Sequence, residues 1–326
     1  MNMLKRPLRA LGLAGTVAAT VLMAQGAGAQ QRMSVAGGST GGVFFPLATG
    51  MAEMLSQTIE GYDFTGGATG GSGENVRLLG TNSAQFGLIM ADAAYNGHYG
   101  KEAFEAEGGY DKVVGIMMTY NQAMHLIVPA DSAIETMADL EGKRVSPGPA
   151  GSGTALMAGT ILDAYGLAGK LTLDPLSHSQ QMTALGDGQL DAAFLLLPTG
   201  AAAVTSHAAA HPIRFIAMDD AEAITKLTEA YPFYFPTEIA AGAYEGQPDA
   251  VATVGVAVTL AASADVPEEI AYEATKLFNE HPDQLATYHA IAKSISADTA
   301  LTGMPIPLHP GAQRYYEEVG NPGLKK

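Results

Sequence analysis

The residues best suited to chemistry lie in three glycine-rich turns. These turns are residues 37–42 (GGSTGG), 70–75 (GGSGEN) and 148–154 (GPAGSGT). Each lies between a short, strand-like segment and a helix-like pattern, so each predicts a strand–turn–helix unit. Glycines let the backbone turn tightly and approach a ligand, while the serines and threonines bring hydroxyl groups to the start of each helix. We consider four interpretations: a phosphate loop, a serine nucleophile, an anion site at helix N-termini, and simple helix capping.

The phosphate-loop interpretation lacks its cation. A Walker-type loop needs a lysine directly before its final serine or threonine, and that lysine reaches the β- and γ-phosphates. The first and third turns contain no lysine. Nucleotide hydrolysis is therefore not expected.

The first turn also fits the G-x-S-x-G pattern of a serine hydrolase. Ser39 would be the nucleophile of Gly37–Gly41, and His309 lies far downstream as a candidate base. In an α/β-hydrolase, however, an earlier loop supplies an oxyanion donor, and strands precede the nucleophile. Here the turn follows the first predicted strand of the mature chain, which leaves no room for those elements. A secreted serine hydrolase using Ser39 is therefore not the preferred interpretation and is kept as the alternative function.

An anion site requires fewer specific residues than a phosphate loop or a serine nucleophile. Helix N-termini carry unpaired N–H groups and a partial positive charge, so a carboxylate fits them without a lysine. Few of the five arginines of the mature chain lie near the glycine turns. The competing interpretation is that the serines and threonines only cap their helices.

Asp92, which follows an apolar strand, could cap a helix or contact a ligand. The eight histidines show no metal-ligand spacing and are interpreted as surface residues, so we expect no metal and no cofactor.

Composition and charge limit the remaining possibilities. The 326 residues are 47% hydrophobic and 15% charged, as expected of a folded protein of two ordinary domains. A basic start, an uncharged apolar run and Ala27-Gly28-Ala29 predict a cleavable signal peptide over residues 1–29, hence a periplasmic protein. Its removal takes three positive charges and changes the net charge from −16 to −19. Such a charge argues against nucleic acid. The absence of cysteine excludes disulfides and a lipoprotein anchor, and no stable membrane anchor is expected.

Strand and helix patterns alternate along the chain, which predicts an α/β fold with largely parallel sheets. We expect separate strands over 113–118 and 124–129 and a long strand over 251–262, with no clear pattern in the aromatic stretch from 229 to 247. The last helices are predicted over 267–279 and 282–293. Two strand–turn–helix units, one early in each half, suggest two similar domains that face one cleft.

Seven blocks, occurring in order, resemble the TAXI-type solute-binding proteins of tripartite (TRAP) transporters. They are GGSTGGVFFPLATGMAEML, GGSGENVRLL, FGLIMADAAY, DLEGKRVSPGPAGSGT, GDGQLDAAF, YPFYFPTEIAAGAYEGQ and TGMPIPLHPGAQRYYEE. They span residues 34–318, nearly the whole mature chain. The resemblance implies a two-lobed, Venus-flytrap-like protein with a hinge and a central cleft. It would capture a small organic anion, such as a dicarboxylate or glutamate, and deliver it to a TRAP-type membrane permease.

Carried onto this sequence, the resemblance also implies which residues contact the ligand and where the lobes divide. The expected contacts are Ser39, Thr40, Gly41, Ser72, Asn75, Ser152, Gly153 and Thr154, with Asp92, Tyr120, Gln180 and Thr199 as further contributors. Solute selectivity is expected around residues 177–180. Lobe I would comprise residues 30–122 and 262–326, and lobe II residues 123–261, joined by hinge strands at 124–129 and 251–262.

Overall fold

The computed structural model describes residues 30–39 and 41–325, and the predicted signal peptide and Thr40 lie outside these ranges. The strands are β1 (Gln31–Ala36), β2 (Tyr62–Gly67), β3 (Phe86–Met90), β4 (Val113–Pro129), β5 (Arg144–Ser146), β6 (Thr172–Leu173), β7 (Ala192–Leu197), β8 (Ile213–Phe215), β9 (Tyr234–Ile239) and β10 (Val251–Ser263). The α-helices are α1 (Phe44–Thr58), α2 (Ser72–Gly80), α3 (Ala91–Tyr99), α4 (Gly153–Ala164), α5 (His178–Gly186), α6 (Ala202–Ala208), α7 (Ala221–Ala230), α8 (Glu268–Glu280), α9 (Pro282–Leu285) and α10 (Pro310–Glu318). Short 3-10 helices cover Glu102–Glu107, Met137–Leu140, Ala290–Ser294 and Pro322–Lys325.

The strands form one continuous mixed sheet in the order β2-β1-β3-β10-β4-β7-β5-β6, with β8 beside β4 and β9 beside β10. The outer strands are parallel: β1 pairs with β2 and β3, and β5 pairs with β6 and β7. The two central strands, β4 and β10, run antiparallel to their neighbours and to each other. The mixed α/β class is as the sequence predicts.

Strands β4 and β10 connect the two halves of this sheet. Toward one end β10 pairs with β3, and toward the other it pairs with β9, while the end of β4 pairs with β7 and β8. The two strands pair with each other, and Gln122 lies opposite Val256, close to a break in register between Ala257 and Thr259. The expectation of separate strands over 113–118 and 124–129 is wrong, because β4 continues through the polar residues between them.

The core is built from apolar strands covered by amphipathic helices. Phe86 and Leu88 in β3 are fully buried, as parallel strands with helices on both faces require. In α1, Leu47, Met51 and Leu55 are also fully buried, and their near-helical spacing is what predicted this helix.

Two further expectations fail near the C-terminal half. The patternless aromatic stretch contains strand β9, which pairs with β10 along six residues. The predicted helix over 282–293 is only the short α9, followed by a 3-10 turn at Ala290–Ser294. Within residues 30–39 and 41–325, no helix combines the length and apolarity needed to span a bilayer.

Candidate functional site

A cavity lies at the carboxyl ends of the parallel strands, where the two halves of the sheet meet. Its wall includes residues that follow β1, β2 and β5, together with Met90 at the end of β3 and Leu196 and Leu197 at the end of β7. Carboxyl ends of parallel strands are where open α/β sheets bind ligands. The free volume of the cavity is about 30 Å³, room for about one or two water molecules.

Four helices begin at this cavity. They are α1 near Phe44, α2 at Ser72, α4 at Gly153 and α5 at His178, and each of these residues lines the cavity wall. The four helices are 15, 9, 12 and 9 residues long. The first N–H groups of a helix have no partner within the helix and carry partial positive charge. Their convergence contributes partial positive charge to the cavity, and no cationic side chain is among its described lining residues.

The second and third glycine turns touch across this cavity. A methyl group on Gly73 would lie 2.2 Å from the carbonyl oxygen of Gly151, and one on Gly71 would lie 3.3 Å from the side chain of Ser152. Gly153 is similarly close to Ser72 and Met90. Only glycine allows the backbones to come this near, so these glycines permit close contact between the two halves of the molecule.

The hydroxyl groups of the turns are buried at the cavity. Ser72 Oγ accepts a 3.1 Å hydrogen bond from the backbone N–H of Met90, and the proton of the same hydroxyl can still be donated. Ser152 is the N-cap of α4 and accepts a 3.1 Å bond from Ala155 N–H. Ser152 therefore caps α4 and also lines the cavity.

His178 connects the first and third turns. Its Nδ1 lies 3.5 Å from Ser39 Oγ, and its Nε2 lies 3.5 Å from Thr154 Oγ1. The ring is buried, and burial lowers the pKa of His178 to about 4, with a smaller lowering effect from His125. The imidazole is therefore neutral at neutral pH in this closed arrangement.

Gln122 of β4 also lines the cavity. Its Nε2 donates a 3.3 Å hydrogen bond to the hydroxyl of Tyr120, but its buried Oε1 has no hydrogen-bond partner among the described residues. A buried amide oxygen without a partner is costly, which makes it a natural contact for a ligand donor or water. Tyr120 acts here through Gln122 and does not line the cavity itself.

Apolar side chains complete the wall. Val43, Phe44, Met90, Pro149, Leu196 and Leu197 face the same space, and no aspartate, glutamate, lysine or arginine is among the described lining residues. An anion in this site would be held by N–H dipoles and hydroxyls inside an apolar surround. Low local polarity strengthens such interactions.

Five of the predicted contacts line the cavity: Ser39, Ser72, Ser152, Gly153 and Thr154. Gly41 has a φ of +84° and adjoins Ser179 of α5, just outside the lining. Thr40, also predicted, lies outside the described residues.

Asn75 lies behind the cavity and not in its wall. Its buried Nδ2 donates to the carbonyl oxygens of Gly37 (2.6 Å) and Leu88 (2.8 Å), and its Oδ1 accepts from Thr69 Oγ1 (2.7 Å). The side chain therefore ties the first turn to the end of β3. In this structure Asn75 supports the framework of the site and is not among the lining residues.

The structure does not bring the remaining candidates to the cavity wall. Asp92 is buried and accepts a 2.6 Å bond from the hydroxyl of Tyr234. Gln180 is exposed and forms a capping box with Ser177 at the start of α5. Thr199 is exposed after β7.

The sequence analysis missed His178 and Gln122 as site residues. The interpretation of all eight histidines as surface residues is wrong, because His125, His178 and His309 are buried. A lone histidine at the first position of a helix carries no distinctive spacing. The one signal was the expectation that selectivity lies within residues 177–180, which contain it.

The proximity of Ser39 to His178 also bears on the hydrolase alternative. A triad needs an acid to orient the histidine, and the far nitrogen of His178 faces the hydroxyl of Thr154 instead. No carboxylate is within hydrogen-bond distance of His178 in the described part of the chain. His309, the expected base, uses both ring nitrogens elsewhere, on Val266 O and Gly311 N–H.

A model described as the NMT1-like family matches residues 35–320. The chain belongs to the NMT1-like family. The match includes the three glycine turns, both long central strands and the start of α10.

Solved structures share the fold of this NMT1-like protein. A Bordetella bronchiseptica RB50 protein is 16% identical, with a TM-score of 0.54, and the match covers 89% of this chain and 98% of that one. A Listeria monocytogenes protein described as an L-cystine ABC transporter is 14% identical, with a TM-score of 0.50 and coverage of 83% and 98%. A Xanthomonas citri protein solved with bound chloride is 10% identical, with a TM-score of 0.50 and coverage of 90% and 97%. These likenesses show that this NMT1-like chain shares the two-lobed α/β fold of those proteins.

Proposed function

We propose that this NMT1-like protein is the extracytoplasmic binding subunit of a TRAP-type transporter and captures a small organic anion. Dicarboxylates and acidic amino acids such as glutamate are the first classes to test. The observation that carries the proposal is the convergence of four helix N-termini on one cavity that has no charged side chain among its described lining residues. The predicted signal peptide supports a periplasmic location.

Hydrogen bonds to the charged group of the anion would supply the binding free energy. Each one contributes about 1.5–3 kcal/mol, so three or four could offset the cost of association and give micromolar binding, about −8 kcal/mol. The donors would be the hydroxyls of Ser39, Ser72 and Thr154 together with the first N–H groups of α2 and α4. These groups come from both sides of the cavity, so they act together only when the two sides are close.

We propose that the two sides are lobes that part at the central strands. Lobe I would comprise residues 30–122 and 262–326, and lobe II residues 123–261. The pairing of Val258 with Met90 supports a return crossing nearer to residues 255–257, opposite Gln122. Hinge closure around a ligand is a common motion of two-lobed binding proteins.

The type of transporter can be tested by uptake. The seven sequence blocks support a TRAP permease, whereas the Listeria protein of similar fold is described as part of an ABC transporter. Vesicles containing the candidate permease should take up the anion with this protein present when a sodium gradient is imposed. Uptake that requires ATP and ignores the ion gradient would assign the protein to an ABC system instead.

A thermal-shift screen tests anion capture. Mature protein would be heated with C3–C6 mono- and dicarboxylates and with amino acids of each charge type. A ligand at about 100 times its Kd adds about 2.7 kcal/mol to the free energy of unfolding and raises the midpoint visibly. Dose-dependent stabilisation by carboxylates, with none by basic amino acids, is expected. Stabilisation by cationic solutes alone would contradict an anion site.

A serine hydrolase is the second candidate, and the 3.5 Å separation of Ser39 and His178 is the observation that favours it. This candidate predicts that a fluorophosphonate labels Ser39 and that Ser39→Ala abolishes hydrolysis of activated esters. The binding role predicts no labelling. The two candidates therefore differ in one experiment.

A further inference from the structure

His178 is the one side chain among the described lining residues that can change its charge near neutral pH. It is 7% exposed, and its two ring nitrogens reach the hydroxyls of Ser39 and Thr154 on opposite sides of the cavity. Both separations are 3.5 Å, longer than ordinary hydrogen bonds. The imidazole is therefore buried at the cavity, and neither nitrogen has a strong partner among the described residues.

The surroundings of His178 leave it free to respond to a ligand. The first turn presents Ser39 and Gly42, α4 presents Thr154, β7 presents Leu196 and Leu197, and β4 presents Gln122; none of these is charged. The titratable group that acts on His178 is His125. Burial lowers the pKa of His125 to about 4, so it is neutral, and its Nε2 lies 2.9 Å from the hydroxyl of Tyr244. Within the described part of the chain, no fixed charge therefore competes with a bound anion for the imidazole.

We propose that the cavity takes its anion together with a proton, which His178 carries for as long as the anion is bound. The inference rests on the proposed function, since it needs an anionic ligand. It assigns His178 as the residue that contacts the negative group directly, between Ser39 and Thr154. With a ligand of net charge −1, the bound pair of anion and imidazolium has no net charge, which suits a cavity lined by Phe44, Met90 and leucines.

The direction of the effect follows from proton linkage. Without ligand the buried imidazole is neutral at neutral pH. A negative group beside the ring favours the protonated form, so the pKa of His178 rises on binding. Binding then takes up a proton, and affinity increases as pH falls through the window between the free and bound pKa values. Within that window the affinity changes by up to about tenfold per pH unit.

Calorimetry tests this with four probes: propionate, lactate, succinate and L-glutamate. Each is titrated into mature protein at pH 6 and pH 8, in two buffers that differ in ionisation enthalpy. For a probe that binds, we expect an affinity at least about threefold higher at pH 6 and a buffer-dependent enthalpy showing net proton uptake. His178→Asn keeps a hydrogen-bonding group but cannot titrate, and it should bind with the same affinity at both pH values. His211→Asn, at an exposed histidine, is the matched control and should keep the pH dependence.

Imidazole NMR of the wild-type protein provides a readout that needs no variant. The titration midpoint of His178 should move to higher pH when a probe binds. Equal affinity at pH 6 and pH 8 with no proton uptake and no movement of the His178 midpoint would overturn this inference and leave anion capture standing. Failure of all four probes to bind at either pH would overturn both.

Discussion

Asp92 and Tyr234 form a buried hydrogen bond of 2.6 Å between the start of α3 and the start of β9. Asp92 is 1% exposed and Tyr234 is 4% exposed. Burial is the main cause that raises the pKa of Asp92, and it raises the pKa of Tyr234 well above its usual range. The second carboxyl oxygen of Asp92 has no hydrogen-bond partner among the described residues. The carboxyl group is therefore easier to accommodate in its neutral form.

Replacing Asp92 by asparagine should change how stability depends on pH. A raised pKa means that the folded state prefers protonated Asp92, and this contribution is present below about pH 4 and is lost as pH rises toward the folded-state pKa. The asparagine variant has no such loss. Its free energy of unfolding relative to wild type should therefore become more favourable by up to about 1.4 kcal/mol per pH unit above pH 4. Urea denaturation from pH 4 to pH 8 measures this, and parallel curves for both proteins would contradict it.

Removing the partner hydroxyl tests the same pair from the other side. Tyr234→Phe leaves the aromatic ring in place but deprives Asp92 of its donor, which should lower the free energy of unfolding by about 2–3 kcal/mol. Tyr99→Phe, at an exposed tyrosine, is the matched control and should change stability little. Equal stability of the two variants would show that the buried bond is not needed.

The hydroxyls of Ser39 and Thr154 should matter for binding and not for folding. Each alanine variant removes one donor to the anion, so we expect affinity to fall by about 1.5–3 kcal/mol, roughly tenfold or more. Thr199→Ala removes an exposed hydroxyl away from the cavity wall and should bind as wild type does. Calorimetry with an anion that binds the wild-type protein measures all three. Unchanged affinity in both cavity variants would place the anion elsewhere.

The local elements could be predicted where one pattern dominates. Strand β3 is an unbroken apolar run, and the apolar strand predicted before Asp92 is present in the structure. Strand β4 was divided in the prediction because Thr119, Asn121 and Gln122 interrupt its apolar pattern. In the structure Thr119 Oγ1 donates to Val258 O at 2.8 Å, and Gln122 lines the cavity. The polar residues within β4 therefore belong to the cavity wall and to the contact with β10. Both depend on distant parts of the chain, so the local sequence pattern does not reveal them.

The site itself was predicted in part. Glycine turns at strand ends correctly indicated Ser39, Ser72 and Thr154 as cavity residues, since helix N-termini follow from the local pattern. The same reasoning included Asn75, because an amide beside a glycine turn looks alike whether it binds a ligand or backbone carbonyls. His178 could not be found this way, because its position depends on two turns that are distant in the sequence. Ser39 and Thr154 precede it by 139 and 24 residues, and only the folded chain brings them to its two ring nitrogens.

Asn75→Ala should therefore affect stability before it affects binding. The substitution removes the hydrogen bonds of Asn75 to the carbonyls of Gly37 and Leu88 and to the hydroxyl of Thr69, of which only the Gly37 and Thr69 groups still bond to each other, so we expect a loss of about 3 kcal/mol. Asn121→Ala, at an exposed asparagine in β4, is the control and should cost much less. Urea denaturation compares them. Near-normal stability of Asn75→Ala combined with lost anion binding would restore the ligand-contact interpretation.

Contact between the second and third turns should be required for tight binding. Gly73 lies in the first turn of α2, and an alanine methyl there would meet the Gly151 carbonyl oxygen at 2.2 Å. Gly73→Ala should hold the two turns apart and weaken anion binding at least about tenfold, while the better helix propensity of alanine keeps the ligand-free protein folded. Gly159→Ala, in α4, is the matched control because a methyl there meets nothing within 4 Å. It should bind normally and gain up to about 1 kcal/mol of stability. Wild-type affinity in Gly73→Ala would mean that the anion is held by one side of the cavity alone.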